Sequence, residues 1–531
     1  MLWEFSSQQL RPKMVEENAN MNEKVKHRAK VLLIHPPLTT PVVEPPSLEP
    51  PLGLAYLAAL LEKEGHEVKI LDAVASGVRN IKRDGDYVRV GLDDSDIQSY
   101  VREFAPQIVG VSAAFTETAN DSHRVASLVK EVDKNVLVVF GGAHTTALPE
   151  VVLADENVDI VVKGEGEATL LELVQSYGNR EAIYKLPGTV VRGEGGIVHN
   201  PDRPFIVDLD TLPFPAYHLL PMEVYLHKSK YYLNDWAMRP PRLNVVTSRG
   251  CPGRCVFCSI HGIWGFGWRA RSPKNVVDEV ESLVKRWGIG EVAFQDDNIT
   301  LDKERMMAIC DKMLQRKLNI RWCTPNGVAI WTLDEELIRK MRQGGCWRLS
   351  FGIESVWPDT QKFIGKRIPI EKVNKAIKWA NSCGIWTHGT FVIGFPFEPI
   401  ESIEATINYA VNSELDFAHL YLATPYPGTE LNKIVVHENL LPKDVKRWSV
   451  NKAEWDTKFI SRDELNQVRT QAYSRILNRR MKRYINPLRL MRKVKSWEDL
   501  KFLLRLIRVA INIRISLKRS GELLTHWKGF K

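Results

Sequence analysis

The chain has 531 residues, 44% of them hydrophobic and 26% charged. That is the composition of a globular protein with core material for two or three domains, and it excludes a disordered or low-complexity chain. Seven cysteines, an odd count with three of them clustered, suit a reducing cytosol and exclude a disulfide framework. Met1 to Lys30 is polar and charged with no apolar core segment, and no run of 18 apolar residues occurs, so neither a secretory signal nor a membrane span is predicted. The net charge of +9 is uneven. From Gln471 to Lys531, 17 Lys/Arg face 3 Asp/Glu, a local +14 that leaves −5 on the other 470 residues. The body is therefore no generic polyanion binder, and without an aromatic stacking platform the tail does not predict nucleic-acid binding.

After a polar tail at 1–28, Lys30 to His35 reads as a buried strand that Pro36-Pro37 ends. Leu52 to Lys63 is helical and stops at Gly65. Val68–Leu71, Ile108–Ser112, Val136–Phe140 and Asp159–Val162 are further apolar strands with helical stretches between them. This alternation predicts a doubly wound, Rossmann-like parallel sheet over 29–200. In such sheets ligands sit beyond the carboxyl ends of the strands. The tips there are Ser112 to Thr118, with Thr116, then Gly141-Gly142-Ala143-His144-Thr145, and Gly164-Glu165-Gly166-Glu167. Their small residues admit a large flat ligand. Gly188 to Asn200 reads as a hairpin, and 201–240, rich in Pro and aromatics, as a connector that fills space between domains.

Leu243 to Thr247 is a buried strand that leads into Arg249-Gly250-Cys251-Pro252-Gly253-Arg254-Cys255-Val256-Phe257-Cys258. Three thiols spaced C-x3-C-x2-C in a Pro-Gly loop suit a soft metal centre. A cubane of four irons on three cysteines keeps one iron open. The other reading is a structural zinc site with His261 as fourth ligand. Strand and helix signals then alternate through 241–430. The strands end at Gln295-Asp296-Asp297-Asn298, Thr324-Pro325-Asn326-Gly327, Glu354, Gly394-Phe395-Pro396 and Pro425–Thr429. Six such units predict a (β/α)6 partial barrel with its site at the strands' C-terminal face. Cys310, Cys323, Cys346 and Cys383 lack ligand spacing and read as small buried hydrophobes.

The cysteine loop carries the C-x3-C-x-aromatic-C signature of the radical SAM superfamily, with Phe257 as the aromatic, and the chain resembles that family. The resemblance implies a 4Fe–4S cluster on Cys251, Cys255 and Cys258 whose open iron is chelated by S-adenosylmethionine (SAM). It implies that Asp296, Asp297 and Asn298 stand where the family often has Gly-Gly-Glu at the methionyl amine. It places Glu354 at the ribose hydroxyls, Gly394 beside the adenine, and Asn326 at the SAM carboxylate or ribose.

The first domain resembles the cobalamin-binding domain that precedes many radical SAM cores. It rests on the strand order, Ser112, the Gly141-Gly142 turn and the Gly-Glu-Gly-Glu loop. Ser112, Thr116, Gly141, Gly142, His144, Gly164, Glu165 and Gly166 become its cobalamin contacts. The chain departs from the D-x-H-x-x-G pattern of many cobalamin proteins: His35-Pro36-Pro37 stands in its place. The partial match at Asp121-Ser122-His123 falls in a helical stretch after the third strand and reads as coincidence.

Together these resemblances imply a cobalamin-dependent radical SAM enzyme. The implied reaction is C-methylation of a small-molecule substrate at an unactivated carbon through a 5′-deoxyadenosyl radical and methylcobalamin. An external flavodoxin- or ferredoxin-like donor would supply electrons. The same two-domain order resembles the anaerobic magnesium-protoporphyrin monomethyl ester cyclase, which makes oxidative ring closure the second reading; a non-catalytic metal-binding protein is the third. Nothing in the sequence singles out a catalytic side chain.

The basic region 431–531 lies outside the resemblance. Leu500 to Lys518 forms an amphipathic pattern with Lys501, Arg505, Arg508 and Asn512 recurring on one side. It fits either an interfacial helix on an anionic membrane, with a hydrophobic substrate, or a helix packed on the barrel. The location implied is cytoplasmic, with membrane contact in the first case.

Overall fold

The structure, a computed structural model, describes residues 28–41, 48–85, 87–228, 236–442, 448–484 and 486–520. The tail 1–27 and the residues after Ser520 lie outside it, as do side chains of the last helix beyond Ile511.

The N-terminal half is built on a seven-stranded sheet. From one edge its order is Gly196–His199, Thr189–Gly193, Ile160–Val162, Leu137–Gly141, Ile108–Ser112, Lys30–His35 and Glu67–Asp72. The last five are mutually parallel, and the hairpin Thr189–His199 adds two antiparallel strands. Helices cover both faces, and for that reason strand Lys30–His35, paired on both sides, is apolar at every interior position. Val31 and Leu33 pack into one core, Leu32 and Ile34 into the other. The chain steps in opposite directions from Lys30–His35, first outward to Glu67–Asp72 and then back to Ile108–Ser112. A crevice therefore opens at the ends of His35 and Ser112.

The sequence reading leaves 36–51 and 73–93 largely without strands. The structure places a three-stranded antiparallel sheet there, Leu38–Pro41, Tyr87–Val90 and Ile81–Asp84. Its strands are four residues each, and the one alternating run, Tyr87–Val90 with Val88 and Val90 buried, is too short to announce the sheet.

The second half is an open barrel of six parallel strands paired in chain order: Arg242–Val245, Glu291–Phe294, Arg321–Val328, Cys346–Glu354, Trp386–Ile393 and Phe417–Leu422. The first and last strands do not pair, so the barrel is partial, as predicted. Its helices start and stop by local chemistry. Helix Pro273–Trp287 has Pro273 in its first turn, Ser272 accepting from the Asn275 amide, and Gly288 at φ 62° as its stop.

Helix Trp497–Ser520 closes the barrel's N-terminal end. Its Phe502 and Leu503 join Met238, Ala293, Cys323, Trp347 and Trp386 in one apolar cluster. The Phe502 ring meets Trp347 edge-on at 4.9 Å and Trp386 at 5.4 Å. Part of the basic excess of the C-terminal region is structural. Arg480, 5% exposed, donates to the carbonyls of Ala410 (2.6 Å), Val411 (3.1 Å) and Ser413 (3.0 Å), capping helix Ile400–Asn412. Lys493 is buried against Asp416 at 2.6 Å. The packed-helix reading thus holds for Phe502 and Leu503. The same helix exposes Leu504, Ile507 and Ile511.

Candidate active site

The cysteine loop follows the first barrel strand, at the barrel's C-terminal mouth. Backbone bonds pin it from both sides: Val256 donates to the Ile364 carbonyl at 3.1 Å, and Leu431 donates to the Val256 carbonyl at 2.8 Å. Gly365, at φ 73°, lies so close that a Cβ there would sit 2.6 Å from the Arg254 carbonyl oxygen. The sulfurs of Cys251 and Cys255 both flank Gly253, 3.4 and 3.9 Å from where its Cβ would stand. Burial pushes the Cys258 thiol up to about 12, and Cys255 and Cys251 act on it through space. The three sulfurs share one half-buried pocket.

Among the described residues no three His, Cys, Asp or Glu side chains converge at single-ion spacing. A zinc ion, with Zn–S bonds of about 2.3 Å, demands that convergence; a cubane, which takes each sulfur on a different iron, does not. His261 does not join the thiols as a fourth ligand of a mononuclear site. Its ring stacks on Phe266 at 4.3 Å.

The residues expected at SAM divide. Asp297 is the carboxylate directed at the thiol pocket. Its Oδ2 is buried without a partner, burial followed by the Asp296 charge pushes it up to about 7, and its field reaches Cys258. Such an orphaned acceptor fits the ammonium of a bound SAM. Asp296 is turned inward instead, accepting from the Thr247 hydroxyl at 2.6 Å and the Ser248 hydroxyl at 2.5 Å. Asn298 is also internal, accepting from the Ala329 amide at 2.9 Å. Asn326 is exposed at the mouth and donates to the Gln295 carbonyl at 2.9 Å.

Glu354 ends the fourth strand at φ 63°, a left-handed conformation that a non-glycine residue rarely holds. Its carboxylate pairs with Lys366 at 2.8 Å. Desolvation alone would depress the Lys366 ammonium, but Glu354 and Cys255 keep it raised. Gly394, at φ 84°, has no room for a Cβ, which would stand 2.4 Å from Leu465. Its amide and that of Phe395 donate to Glu398 at 2.8 and 3.2 Å. Phe257 packs 6.0 Å from the Phe395 ring.

The cobalamin tips meet this mouth. Gly142 at φ 131° leaves no space for a side chain against Ala113, whereas nothing lies within 4 Å of a Cβ on Gly141. The Gly141 backbone is thus open to a flat ligand, and the Phe115 ring beside this crevice is 68% exposed. The Ser122 hydroxyl donates to the Ser112 carbonyl at 3.0 Å. The histidines nearby are engaged: His144 with Thr116 at 3.1 Å, His35 with Asp72 at 3.1 Å, and His123 with Asp155 at 2.7 Å. His123 lies in helix Ala119–Val132. The Gly164 amide donates to Thr146 at 3.0 Å, and a Cβ on Gly164 would stand 3.6 Å from the Ile263 carbonyl.

The two halves are joined by buried charge that the sequence reading missed. Arg249, two residues before Cys251, donates to Glu165 at 2.9 Å and Glu167 at 2.6 Å. Arg269 donates to the same Glu165 oxygen at 2.8 Å, and the Ile206 amide to its other oxygen at 2.7 Å. Helix Ile260–Trp264 packs on helix Ala143–Ala147, and Tyr426 donates its hydroxyl to Glu117. Glu165, expected as a cobalamin contact, is thereby committed to the cysteine-bearing half. The connector also does more than fill space: Tyr217 donates to the Asn244 carbonyl at 2.9 Å, and the Ala216 amide to Ala55 at 2.9 Å. The signal for these pairs was present in Gly-Glu-Gly-Glu and in Arg249, but the 84-residue separation of Glu165 and Arg249 hid it.

A partial parallel barrel with three clustered thiols at its mouth, joined through Arg249 and Arg269 to the Gly164–Glu167 tip of a doubly wound sheet, defines a radical SAM enzyme with a corrinoid domain. The comparisons agree. Residues 39–174 match the B12 binding domain and 245–410 the Radical SAM superfamily. An uncharacterised methyltransferase of Pyrococcus horikoshii is 38% identical over 78% of this chain and 84% of its own. Cytidylyl-2-hydroxyethylphosphonate methyltransferase of Streptomyces wedmorensis is 35% identical over 78% of this chain and 82% of its own. The fold is similar to that of the radical SAM methyltransferase TsrM from Kitasatospora setae, solved with cobalamin and a 4Fe–4S cluster. There the TM-score is 0.62 and the identity 20%, covering 77% of this chain and 75% of that one. The chain belongs to the cobalamin-dependent radical SAM enzymes.

Proposed function

We propose that the protein is a C-methyltransferase acting on an unactivated carbon of a small molecule. The observation that carries this reading is that the Gly164–Glu167 tip of the first domain is clamped to the segment leading into the cysteine loop by the Arg249–Glu165 and Arg249–Glu167 pairs. When bound, the cluster, SAM and cobalamin supply respectively an electron, a hydrogen-abstracting radical and a methyl donor.

The chain's own part is positioning. Cys251, Cys255 and Cys258 hold the cluster, and Asp297 receives the SAM ammonium in a pocket with no competing partner. Glu354, fixed by Lys366, presents an acceptor for the ribose hydroxyls. Glu398 fixes the Gly394-Phe395 turn that would flank the adenine. The open Gly141 backbone and the Phe115 face receive the corrin ring. The apolar plug around Phe502 keeps bulk water from entering the barrel from below.

The test is product analysis after anaerobic reconstitution with SAM labelled in its methyl group. Label in the product supports methylation. An unlabelled product with a new ring or double bond, formed with SAM cleavage, overturns it in favour of cyclisation. No SAM cleavage by a cluster-loaded protein overturns both.

No described helix is long and apolar enough to cross a membrane. Helix Trp497–Ser520 nevertheless exposes Leu504, Ile507 and Ile511, spaced on one face, with Trp497 65% exposed at its start and Lys501 and Arg508 exposed beside them. This supports peripheral contact with an anionic membrane. Because Phe502 plugs the barrel, truncation is a poor probe. Leu504→Ser with Ile507→Ser should weaken flotation with phosphatidylserine-containing liposomes at unchanged thermal stability; equal flotation ends the idea.

A further inference from the structure

Below its mouth the barrel carries polar groups that the cofactor-facing residues leave unused. Strand Phe417–Leu422 alternates in burial, Trp386–Ile393 does so from His388 to Phe391, and Cys346–Glu354 is buried throughout except at Arg348. Leu349, Phe351, Phe391, Ile393 and Leu420, turned to the helices, are fully buried. Arg348, His388, Thr390, His419 and Tyr421, turned to the barrel axis, keep partial solvent access. Partial access at these five positions marks a polar barrel interior, narrowed by the fully buried Ser350.

The register stacks these side chains. Ser350 pairs with His388, Thr390 with His419, and Val392 with Tyr421, so successive levels rise by about 6.6 Å. Ser350 and His388 lie 3.2 Å apart, oxygen to Nδ1. The His388 and His419 rings stand edge to face at 5.6 Å, and His419 stacks on Tyr421 at 5.4 Å. Burial depresses both imidazoles, His419 to about 4, with Arg348 adding to the effect on each.

Arg348 lies at the floor. A guanidinium carries five N–H donors, yet among the described residues this one has a single weak side-chain acceptor, Cys323 Sγ at 3.6 Å, besides the Trp347 ring 5.1 Å from its Cζ, and its Nε is buried without a partner. It forms no ion pair among the described residues. Glu291, which shares the Cys323 thiol at 3.7 Å, spends its other oxygen on the Met238 and Arg239 amides at 2.6 and 3.2 Å. Burial moreover pushes Glu291 toward its neutral form. A half-buried cation with unused donors at the floor of the barrel is a ready anion site.

We propose that Arg348, with His388, His419 and Ser350 above it, binds an anionic group of the substrate, a carboxylate or a phosphonate or phosphate ester. The carbon to be methylated would then be held up toward the cysteine loop. The strand from Arg348 to Glu354 spans about 20 Å, so the substrate is extended, with its charge at the end remote from the reaction. This deepens the methyltransferase reading and rests on the lumen being its substrate chamber.

Ethylphosphonate and propionate are the probes, titrated into the reconstituted holoenzyme with SAM saturating, so that the SAM carboxylate site is already filled. Binding is read by calorimetry and by 31P line broadening. The expected result is saturable one-to-one binding that weakens at least tenfold in Arg348→Met and in His419→Asn and is unchanged in Arg339→Ser, whose side chain is 63% exposed. His419→Asn keeps the test decisive if Arg348→Met fails to fold. The stronger probe tells phosphonate from carboxylate. Absence of saturable binding, or binding lost equally in Arg339→Ser, overturns the proposal. SAM cleavage in the same samples separates the two readings: anion binding with no methyl transfer to any product leaves the subsite standing and removes the methyltransferase assignment.

Discussion

Replacing Arg249 by Met should uncouple the two halves of the molecule without changing either. The side chain is 8% exposed and its two partners, Glu165 and Glu167, are 5% and 8% exposed. Glu165 keeps Arg269 and the Ile206 amide after the change, at 2.8 and 2.7 Å. Glu167 loses its ion pair, so the cost falls there. Removing one partner of a buried pair leaves the other charge without compensation and costs about 3–5 kcal/mol; the surviving Arg269 contact argues for the lower end. Arg249 now lowers the Glu165 carboxyl against its burial, so in the variant that group should titrate higher. The cleanest measure is a cycle of Arg249→Met, Glu167→Gln and the double variant. The double should be less destabilised than the sum of the singles by about 2 kcal/mol or more.

The functional readout is the dipolar coupling between the reduced cluster and cob(II)alamin in electron paramagnetic resonance spectra. It should weaken or broaden into a distribution in Arg249→Met while iron and corrinoid contents stay near wild type. Arg249→Lys should restore part of it, because an ammonium keeps the charge but reaches only one carboxylate well. Additive single variants, or an unchanged spin coupling, would refute the clamp.

Two further outcomes follow from the mouth of the barrel. Glu398 is buried with its acid pushed from 4.5 up to about 7 by desolvation. A carboxyl raised on folding stabilises fully at low pH and loses that contribution as pH climbs through about 7, a loss on the order of 3 kcal/mol. Glu398→Gln keeps acceptors for the Gly394 and Phe395 amides, so its melting temperature should gain on wild type as pH rises from about 5 to about 8; parallel melting curves over that range would end the argument. Gly365→Ala puts a Cβ 2.6 Å from the Arg254 carbonyl and adds about 1–2 kcal/mol for a left-handed alanine. Iron bound after reconstitution should fall by more than half, whereas Gly253→Ala, whose Cβ would meet the Cys251 and Cys255 sulfurs at 3.4 and 3.9 Å, should load nearly normally. Equal iron contents in the two variants would contradict the geometry of the loop.

What the sequence exposed and what it hid divide along a physical line. The parallel strands were legible because both of their faces are buried, which forces continuous apolar runs such as Val31 to Ile34. The cysteine loop was legible because its ligands are spaced locally. Asp296, Asp297 and Asn298 were legible as a strand-end loop but not individually. Which of three adjacent polar residues faces the site depends on what the other two bond, and Asp296 and Asn298 are taken by Thr247 and Ala329, nearly fifty residues before and about thirty after. Lys366 was missed because its meaning comes from Glu354 and Cys255 together.

Arg348 shows the same limit from the other side. In sequence it is one more arginine at the start of an apolar strand, where the expected fate is solvent. Only the closing of six strands around it turns that residue inward, and the plug at Trp347, Trp386 and Phe502 denies it the solvent below. A cation placed there with donors unspent costs stability. The anionic group proposed for the substrate would offset that cost.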